Sequence, residues 1–435
     1  MTIVPDQPHA ALDSSARGNA PTHEQPAPDS AGLSLLATLG LAAYLGISWT
    51  WCIGMFLPIL LIRDFGLWSF AVFALPNILG AAALGWTIRT PGHAHALRAA
   101  HAPMIRLFSL VTIAFQAFFL MNIVPAVPPF AAVAAVLVTL TLGEVASRAI
   151  DRRAHSTAPA PPAALFSIPA LLLWLASAAV LIIGLTNAYS ARDSTLLGAL
   201  RALPVPALPT LHLVPLGAVC VLGFALCPLL DATFISGRAV ASTPASAKGA
   251  FAVGFGVIFF SMLVGTLWYA PLYLRDGGFP LLVALHLLAQ LGFTIGCHTR
   301  RFAAFAPGAA ESVWTPGVII ALGAGVLLAF AANSLSTLLP ATGLSNFELV
   351  YRLFMTFYAL IFPAYVACNL RLSRNAAPPA GARRHLWLLA ILLAAPCYAL
   401  GFLNQQTWWL IPGVAIVLIT AACARRSPQP ASLSQ

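Results

Sequence analysis

Asp231 lies in "GAVCVLGFALCPLLDATF" (217–234), three residues after Pro228 in an otherwise apolar run. A carboxylate in such surroundings is expensive to bury and is a functional candidate by default. It can bind a cation or an amine, carry a proton, or serve only as a helix cap or surface ion-pair partner. His286, Gln290 and Thr294 recur at intervals of four, which puts all three on one face of a helix. His286 has the chemistry to relay protons near neutral pH, and the plainer role for the stripe is hydrogen bonding between helices. Glu348 and Arg352 have i,i+4 ion-pair spacing, as do Glu144 and Arg148. Tyr351, Tyr358 and Tyr365 follow at intervals of seven, spacing that suits packing or the lining of a polar path.

These side chains must be positioned by helices in a membrane. Of 435 residues, 60% are hydrophobic and 8% charged, with mean hydropathy +0.88. Soluble domains carry about a quarter charged residues, so this composition cannot cover a water-facing surface. Apolar runs of about 20 residues recur, the length of a membrane-crossing helix. The alternating segments of about 10 residues that build membrane barrels are absent. The net charge of +10 does not mark nucleic-acid binding, because Lys248 is the lone lysine and the arginines are scattered over short loops. Cys52, Cys220, Cys227, Cys297, Cys368, Cys397 and Cys423 form no CxxC and read as small apolar filler, not as a disulfide framework or metal site.

The spans expected are 34–62, 67–89, 104–124, 127–147, 164–187, 211–235, 249–273, 279–297, 314–335, 347–370, 385–402 and 406–424. One set of alternating ends and loops holds sixteen basic residues: Arg89, Arg98, Arg106, Arg148, Arg152, Arg153, Arg238, Lys248, Arg300, Arg301, Arg371, Arg374, Arg383, Arg384, Arg425 and Arg426. The other set holds four, Arg63, Arg192, Arg201 and Arg275. By the positive-inside rule the first set and both termini are cytoplasmic.

Two spans are interrupted. "WTWCIGMFLP" (49–58) carries Gly54 and Pro58 inside a long apolar stretch, and "GFALCPLL" (223–230) carries Gly223 and Pro228 five spans later. Helix interiors disfavour Gly by about 1 kcal/mol and Pro by about 3. In lipid, freed backbone groups must bind something or line a polar cavity. A proline kink with glycine packing is the plainer alternative. Each interrupted span is followed by a glycine-rich one, "FAVFALPNILGAAALGW" (70–86) and "AFAVGFGVIFFSMLVGTLW" (250–268), and the charge count gives the two units opposite directions. Together these read as an inverted repeat.

"IGMFLP", the turn at Gly66, "FAVFALPNILGAAALG" and "FALCPLLDATF" resemble the first, second and sixth helices of amino acid/polyamine/organocation-type transporters with the LeuT-like five-plus-five fold. Two departures stand out: Cys52 occupies the place of a first-break glycine, and Pro228 that of a usual glycine. The resemblance implies an all-α polytopic membrane protein of about twelve helices, with broken helices one and six and two extra C-terminal helices. The expected organisation is a cytoplasmic tail over 1–33, a first repeat over 34–187, an external loop over 188–210, a second repeat over 211–370, a helix pair over 371–424 and a tail over 425–435.

The function so implied is secondary active transport of a small organic solute, an amino acid or amine among the candidates, by alternating access coupled to Na⁺ or H⁺. The substrate candidates are Trp51, Cys52, Gly54, Phe224, Cys227, Pro228 and Asp231, with Trp49 and Phe56 as further aromatic walls. The ion-coupling candidates are Asp231, His286, Gln290 and Thr294, and the external gate candidates are Glu348 and Arg352. No cofactor or metal is expected, and the partners are the solute and the lipid bilayer, with no nucleic acid. The Ala- and Pro-rich, Lys-poor composition suggests a bacterial cytoplasmic membrane. No GxSxG, HExxH or Walker pattern is present, and Asp64, Asp193 and Asp276 read as isolated external acids, so catalysis is not expected. The alternatives are a membrane-embedded transferase acting on a lipid-linked substrate, and a non-transporting scaffold or sensor.

Overall fold

The computed structural model describes residues 33–155, 164–203, 205–241, 243–305, 313–370 and 381–426. Most of the two expected tails, the Pro-rich stretch 158–163, Arg371 and Arg374 lie outside them. Among the described residues the chain is helical, with no strands.

Span one is α1 (Leu35–Ser48) followed by α2 (Cys52–Phe65), bent by 54° at the break. Spans two to five are α3 (Trp68–Thr87), α4 (Pro91–Ile123), α5 (Pro129–His155) and α6 (Ala164–Ser190), and a short α7 (Leu196–Arg201) lies in the next connection. Span six is α8 (Leu213–Leu226), a 3₁₀ turn (Cys227–Leu230) and α9 (Ala232–Val240). Span seven joins α10 (Pro244–Val253) to α11 (Phe260–Asp276) through a π-helical turn. Spans eight and nine are α12 (Leu281–Ala304) and α13 (Pro316–Ser334). Span ten joins α14 (Asn346–Thr356) to α15 (Phe362–Asn369) through a second π-helical turn. Spans eleven and twelve are α16 (Gly381–Phe402) and α17 (Leu410–Arg426). Among the described residues eleven helices, or twelve spans counting the bent pair, are long and apolar enough to cross a membrane.

Thr-Pro pairs begin three of these helices. Thr90, Thr243 and Thr315 each accept a backbone N–H from the first turn, and Pro91, Pro244 and Pro316 follow where the missing N–H costs nothing. Span three begins at Pro91, well before the expected 104. Its opening turns, "PGHAHALRAAHAP", are too polar to register as a membrane segment, and they meet the apolar part at a kink at His101, two residues before Pro103.

The packing maps onto itself when spans one to five are exchanged for six to ten. Span one packs on span seven and span six on span two; span four packs on span eight and span nine on span three. Span one likewise packs on span five, and span six on span ten. Because five is odd, corresponding spans run in opposite directions, as the five-plus-five arrangement requires. Spans eleven and twelve pack on each other and against spans six and ten.

Glycine sets the close crossing of spans four and eight. Span eight carries Gly292 and Gly296 at GxxxG spacing, and span four presents Gly143 to them. A Cβ on Gly296 would stand 2.1 Å from the Leu140 carbonyl oxygen, and one on Gly143 2.2 Å from that of Phe293. Both obstacles are backbone, so the helices themselves must separate. Gly296→Ala is expected to cost about 1–3 kcal/mol, read as a lower melting temperature in detergent. An unchanged melting temperature would contradict this close approach.

Candidate functional site

The first break does not fall at Gly54 and Pro58, where the sequence suggests it. The chain unwinds at Trp49–Trp51, and both Gly54 and Pro58 lie inside the continuous α2. The backbone groups freed by the break are satisfied by side chains. Thr50 Oγ1 donates to the Gly46 carbonyl at 2.9 Å, Trp51 Nε1 donates to that of Ser48, and the Cys52 N–H reaches Gln116 Oε1 at 3.3 Å. Pro58 has a different effect. It has no N–H for the Gly54 carbonyl four residues back, and Thr266 Oγ1 of span seven supplies the missing donor at 3.1 Å. Tyr269 OH donates to the Met55 carbonyl at 2.7 Å, and Tyr351 OH of span ten donates to that of Cys52 at 3.0 Å. Pro58 therefore frees one of the three carbonyls, that of Gly54, through which α2 is held by spans seven and ten.

The second break is where the sequence places it. Pro228 lies in the 3₁₀ turn, and Asp231 then caps α9. Asp231 Oδ1 accepts from the Thr233 N–H at 2.7 Å, from Thr233 Oγ1 at 2.5 Å and from the Phe234 N–H at 3.4 Å. The carboxyl group is completely buried.

The two breaks meet. Ser48 Oγ and Thr233 Oγ1 are 3.1 Å apart, and the rings of Trp49 and Phe234 are centred 4.9 Å apart. Beside this junction Trp49, Trp51, Ile53, Gly54, Asn77, Phe224, Cys227 and Tyr358 enclose a cavity of about 20 Å³, room for about one water. Asn77 Oδ1 accepts from Trp49 Nε1 at 2.7 Å, and Cys227 Sγ donates to the Tyr358 carbonyl at 3.2 Å. Of the expected substrate residues, Trp51, Gly54, Phe224 and Cys227 line this cavity, whereas Cys52, Pro228 and Asp231 do not. Phe56 instead joins a separate aromatic cluster with Phe119, Tyr273, Phe279, Phe347 and Tyr351. A larger, mostly apolar cavity of about 80 Å³ runs from Gly223, Phe224 and Tyr358 towards Asp64, Arg352 and Thr407.

The polar stripe of span eight divides. Thr294 Oγ1 reaches the Ile47 carbonyl at the first break, at 3.4 Å. His286 and Gln290 turn instead to span five. His286 Nδ1 lies 2.7 Å from Ser177 Oγ, and Gln290 Nε2 donates to the same hydroxyl at 2.9 Å. Sequence reasoning stopped the stripe one step early. His298 continues the interval of four, is fully buried, and faces Asp231 at 3.9 Å. Arg301, one turn further, is buried against Asp151 and Tyr44. The Tyr residues of span ten are all engaged: Tyr358 OH lies 3.0 Å from Thr112 Oγ1 and Tyr365 OH 3.0 Å from His101 Nδ1.

Glu348 and Arg352 form the expected pair at 2.5 Å, but not in isolation. Arg63 of span one donates to both Glu348 oxygens, at 2.9 and 2.7 Å, and Asp64 accepts from Arg63 and Arg352 at 2.8 and 3.0 Å. Asp64 is therefore not an isolated acid, and neither is Asp276, which pairs with Arg192 and Arg275. Glu144 and Arg148 form the simple i,i+4 pair at 2.6 Å.

No family model and no curated protein matches the chain. Among solved structures it is similar to Mhp1, a nucleobase-cation-symport-1 family transporter in a closed conformation with bromovinylhydantoin bound, at 13% identity over 89% of this chain and 92% of that one, with a TM-score of 0.37.

Proposed function

We propose that the protein is a secondary transporter that moves a small organic solute by alternating access, coupled to Na⁺ or H⁺. The observation that carries this reading is the cavity between two broken spans of opposite direction that occupy corresponding places in the packing. Such breaks turn helix ends towards a site in the middle of the membrane. The first turn of α2, which includes the cavity residues Ile53 and Gly54, has N–H groups without partners inside the helix, and Pro228 has no N–H to offer the Phe224 carbonyl at the end of α8. These suit the acceptor and donor ends of an amino acid or a similar solute, while Trp49, Trp51, Phe224 and Tyr358 receive its apolar body. The lining holds no charged side chain, so a free amine would find no counter-ion in it.

Alternating access needs a closure at each end. In this reading the Arg63–Asp64–Glu348–Arg352 cluster closes the outer end. The Tyr44–Asp151–Arg301 junction, with Arg238 donating to the carbonyls of Ile88 and Ala241, closes the inner end. The repeats are 34–187 and 211–370, and 371–424 is an accessory pair at their side. The termini face the cytoplasm of a bacterial cell, and the chemistry is transport and not catalysis.

The test is a thermal-shift screen of purified protein against amino acids, amines and neutral ring compounds, followed by uptake of each stabilising compound into proteoliposomes. Trp51→Ala is expected to weaken binding of that compound about tenfold, a difference of about 1.4 kcal/mol. If no compound is bound or taken up, the transporter reading fails, and a lipid-extract assay for transferase activity becomes the next step.

A further inference from the structure

Asp231 Oδ2 and His298 Nε2 face one another at 3.9 Å between the second break and span eight. Both side chains are completely buried, and neither atom has a hydrogen-bond partner among the described residues. Their other atoms are committed. Asp231 Oδ1 takes the three donors of the helix cap, and His298 Nδ1 lies 3.3 Å from Ser109 Oγ of span three. Buried polar atoms are nearly always partnered, and an orphan of this kind calls for an explanation. Two orphans aimed at each other are a stronger signal than one.

We propose that Asp231 and His298 form a buried proton-binding site, and that the ion coupled to transport is a proton. The second clause rests on the transporter reading; the first does not. A separation of 3.9 Å is too long for a hydrogen bond, and a side-chain movement of about 1 Å makes one. A proton arriving from water forms an O–H bond at Oδ2 or an N–H bond at Nε2. The pair then holds it in a hydrogen bond and gains one unit of positive charge. On release that bond breaks, the proton returns to water on the other side, and no other atom or electron moves.

Sodium fits less well. Hard cations gather several oxygen ligands, and Oδ2 is the one uncommitted oxygen of this pair. Four carbonyls at the first break already accept protein donors, Gly46 from Thr50, Ile47 from Thr294 and the Thr50 N–H, Ser48 from Trp51 Nε1 and Trp49 from the Trp51 N–H. The remaining ionisable groups that act on the pair are Cys227 from span six, Tyr358 from span ten, and Cys297 and Arg301 from span eight. The proton is also positioned to influence solute binding. The Trp51 ring stands edge-on to His298, 5.5 Å between centroids, and Trp51 also lines the cavity.

The experiment is an infrared pH titration of the full-length protein in lipid nanodiscs, which needs no solute. A protonated-carboxyl band is expected to appear as pH falls, to be absent in Asp231→Asn, and to shift its midpoint by about one pH unit or more in His298→Gln. The asparagine amide oxygen in Asp231→Asn keeps the cap acceptor, so that variant should still fold. Nitrogen-15 spectra of the histidines in the unmodified protein supply a second readout, with one imidazole titrating at the same midpoint as the band. A carboxyl that stays ionised throughout, a band indifferent to His298→Gln, or sodium stabilisation that disappears in Asp231→Asn would overturn the proposal. A band that behaves as expected in a protein that takes up no solute would leave the proton site standing and remove the transporter.

Discussion

Arg301→Met is expected to lower stability by about 3–5 kcal/mol, the cost of leaving a buried charge without its partner. Arg301 is fully buried, and its guanidinium donates to Asp151 and, at 3.1 and 3.3 Å, to Tyr44 OH and the Ser147 carbonyl. Tyr44 also meets Ser147 Oγ at 2.9 Å. The junction therefore ties spans one, four and eight together. Methionine fills much of the same volume but leaves Asp151, itself buried, with Arg300 at 3.4 Å as its nearest cation. Thermal unfolding in detergent should show the loss directly. Adding Asp151→Asn should recover part of it, because the stranded charge goes too, and the two substitutions should be strongly non-additive. A single variant that melts like the parent would show that the junction is not held by this pair.

On the proposed transporter reading, Glu348→Ala is expected to open the cavity at the end where Arg63, Asp64 and Arg352 gather. Glu348 is the anion shared by Arg63 and Arg352, one on span one and the other on span ten, and it is buried. Its removal leaves two guanidinium groups together with Asp64 as their remaining carboxylate. Truncating one member of a buried charge cluster costs about 2 kcal/mol or more, and Arg63 is exposed enough at its edge that the lower figure applies. If the cluster forms only in the closed state, that energy becomes a shift in population of about 30-fold. Cys220 reports it, since its side chain lines the cavity beneath Asp64 and Arg352. Reaction of Cys220 with a small methanethiosulfonate, located by mass spectrometry, should accelerate by about that factor. Glu348→Gln, which keeps an acceptor, should fall between the two. An unchanged rate in Glu348→Ala would mean that the cluster ties the spans together without gating the cavity.

Hydropathy was enough to place the spans among the described residues, because lipid accepts few ways to satisfy a backbone. The second break was equally legible. Pro228 and Asp231 are a helix stop and a helix cap three residues apart, both local signals. The first break was misplaced because the identical residue types, Gly54 and Pro58, occur inside a helix whose Gly54 carbonyl, freed by Pro58, is taken by Thr266, with Tyr269 and Tyr351 donating to the nearby carbonyls of Met55 and Cys52. Those donors come from spans that lie more than two hundred residues away, and nothing near Pro58 announces them. The inverted order of the packing was foreshadowed by two glycine–proline interruptions, yet only the exchange of span contacts displays it.

The class of protein, the number of its spans and the residues too polar to be left in lipid were all legible in the chain itself. Each follows from the cost of transferring a group between water and hydrocarbon, which depends on the group and its neighbours in the chain. The tertiary structure alone decided which polar residues meet. It gave His286 and Gln290 to a serine on span five, brought His298 to Asp231, and collected Arg63, Asp64, Glu348 and Arg352 into one cluster. Partner choice depends on distance across the fold. A hydrogen bond is satisfied or lost over about an ångström, and no spacing along the chain encodes that distance.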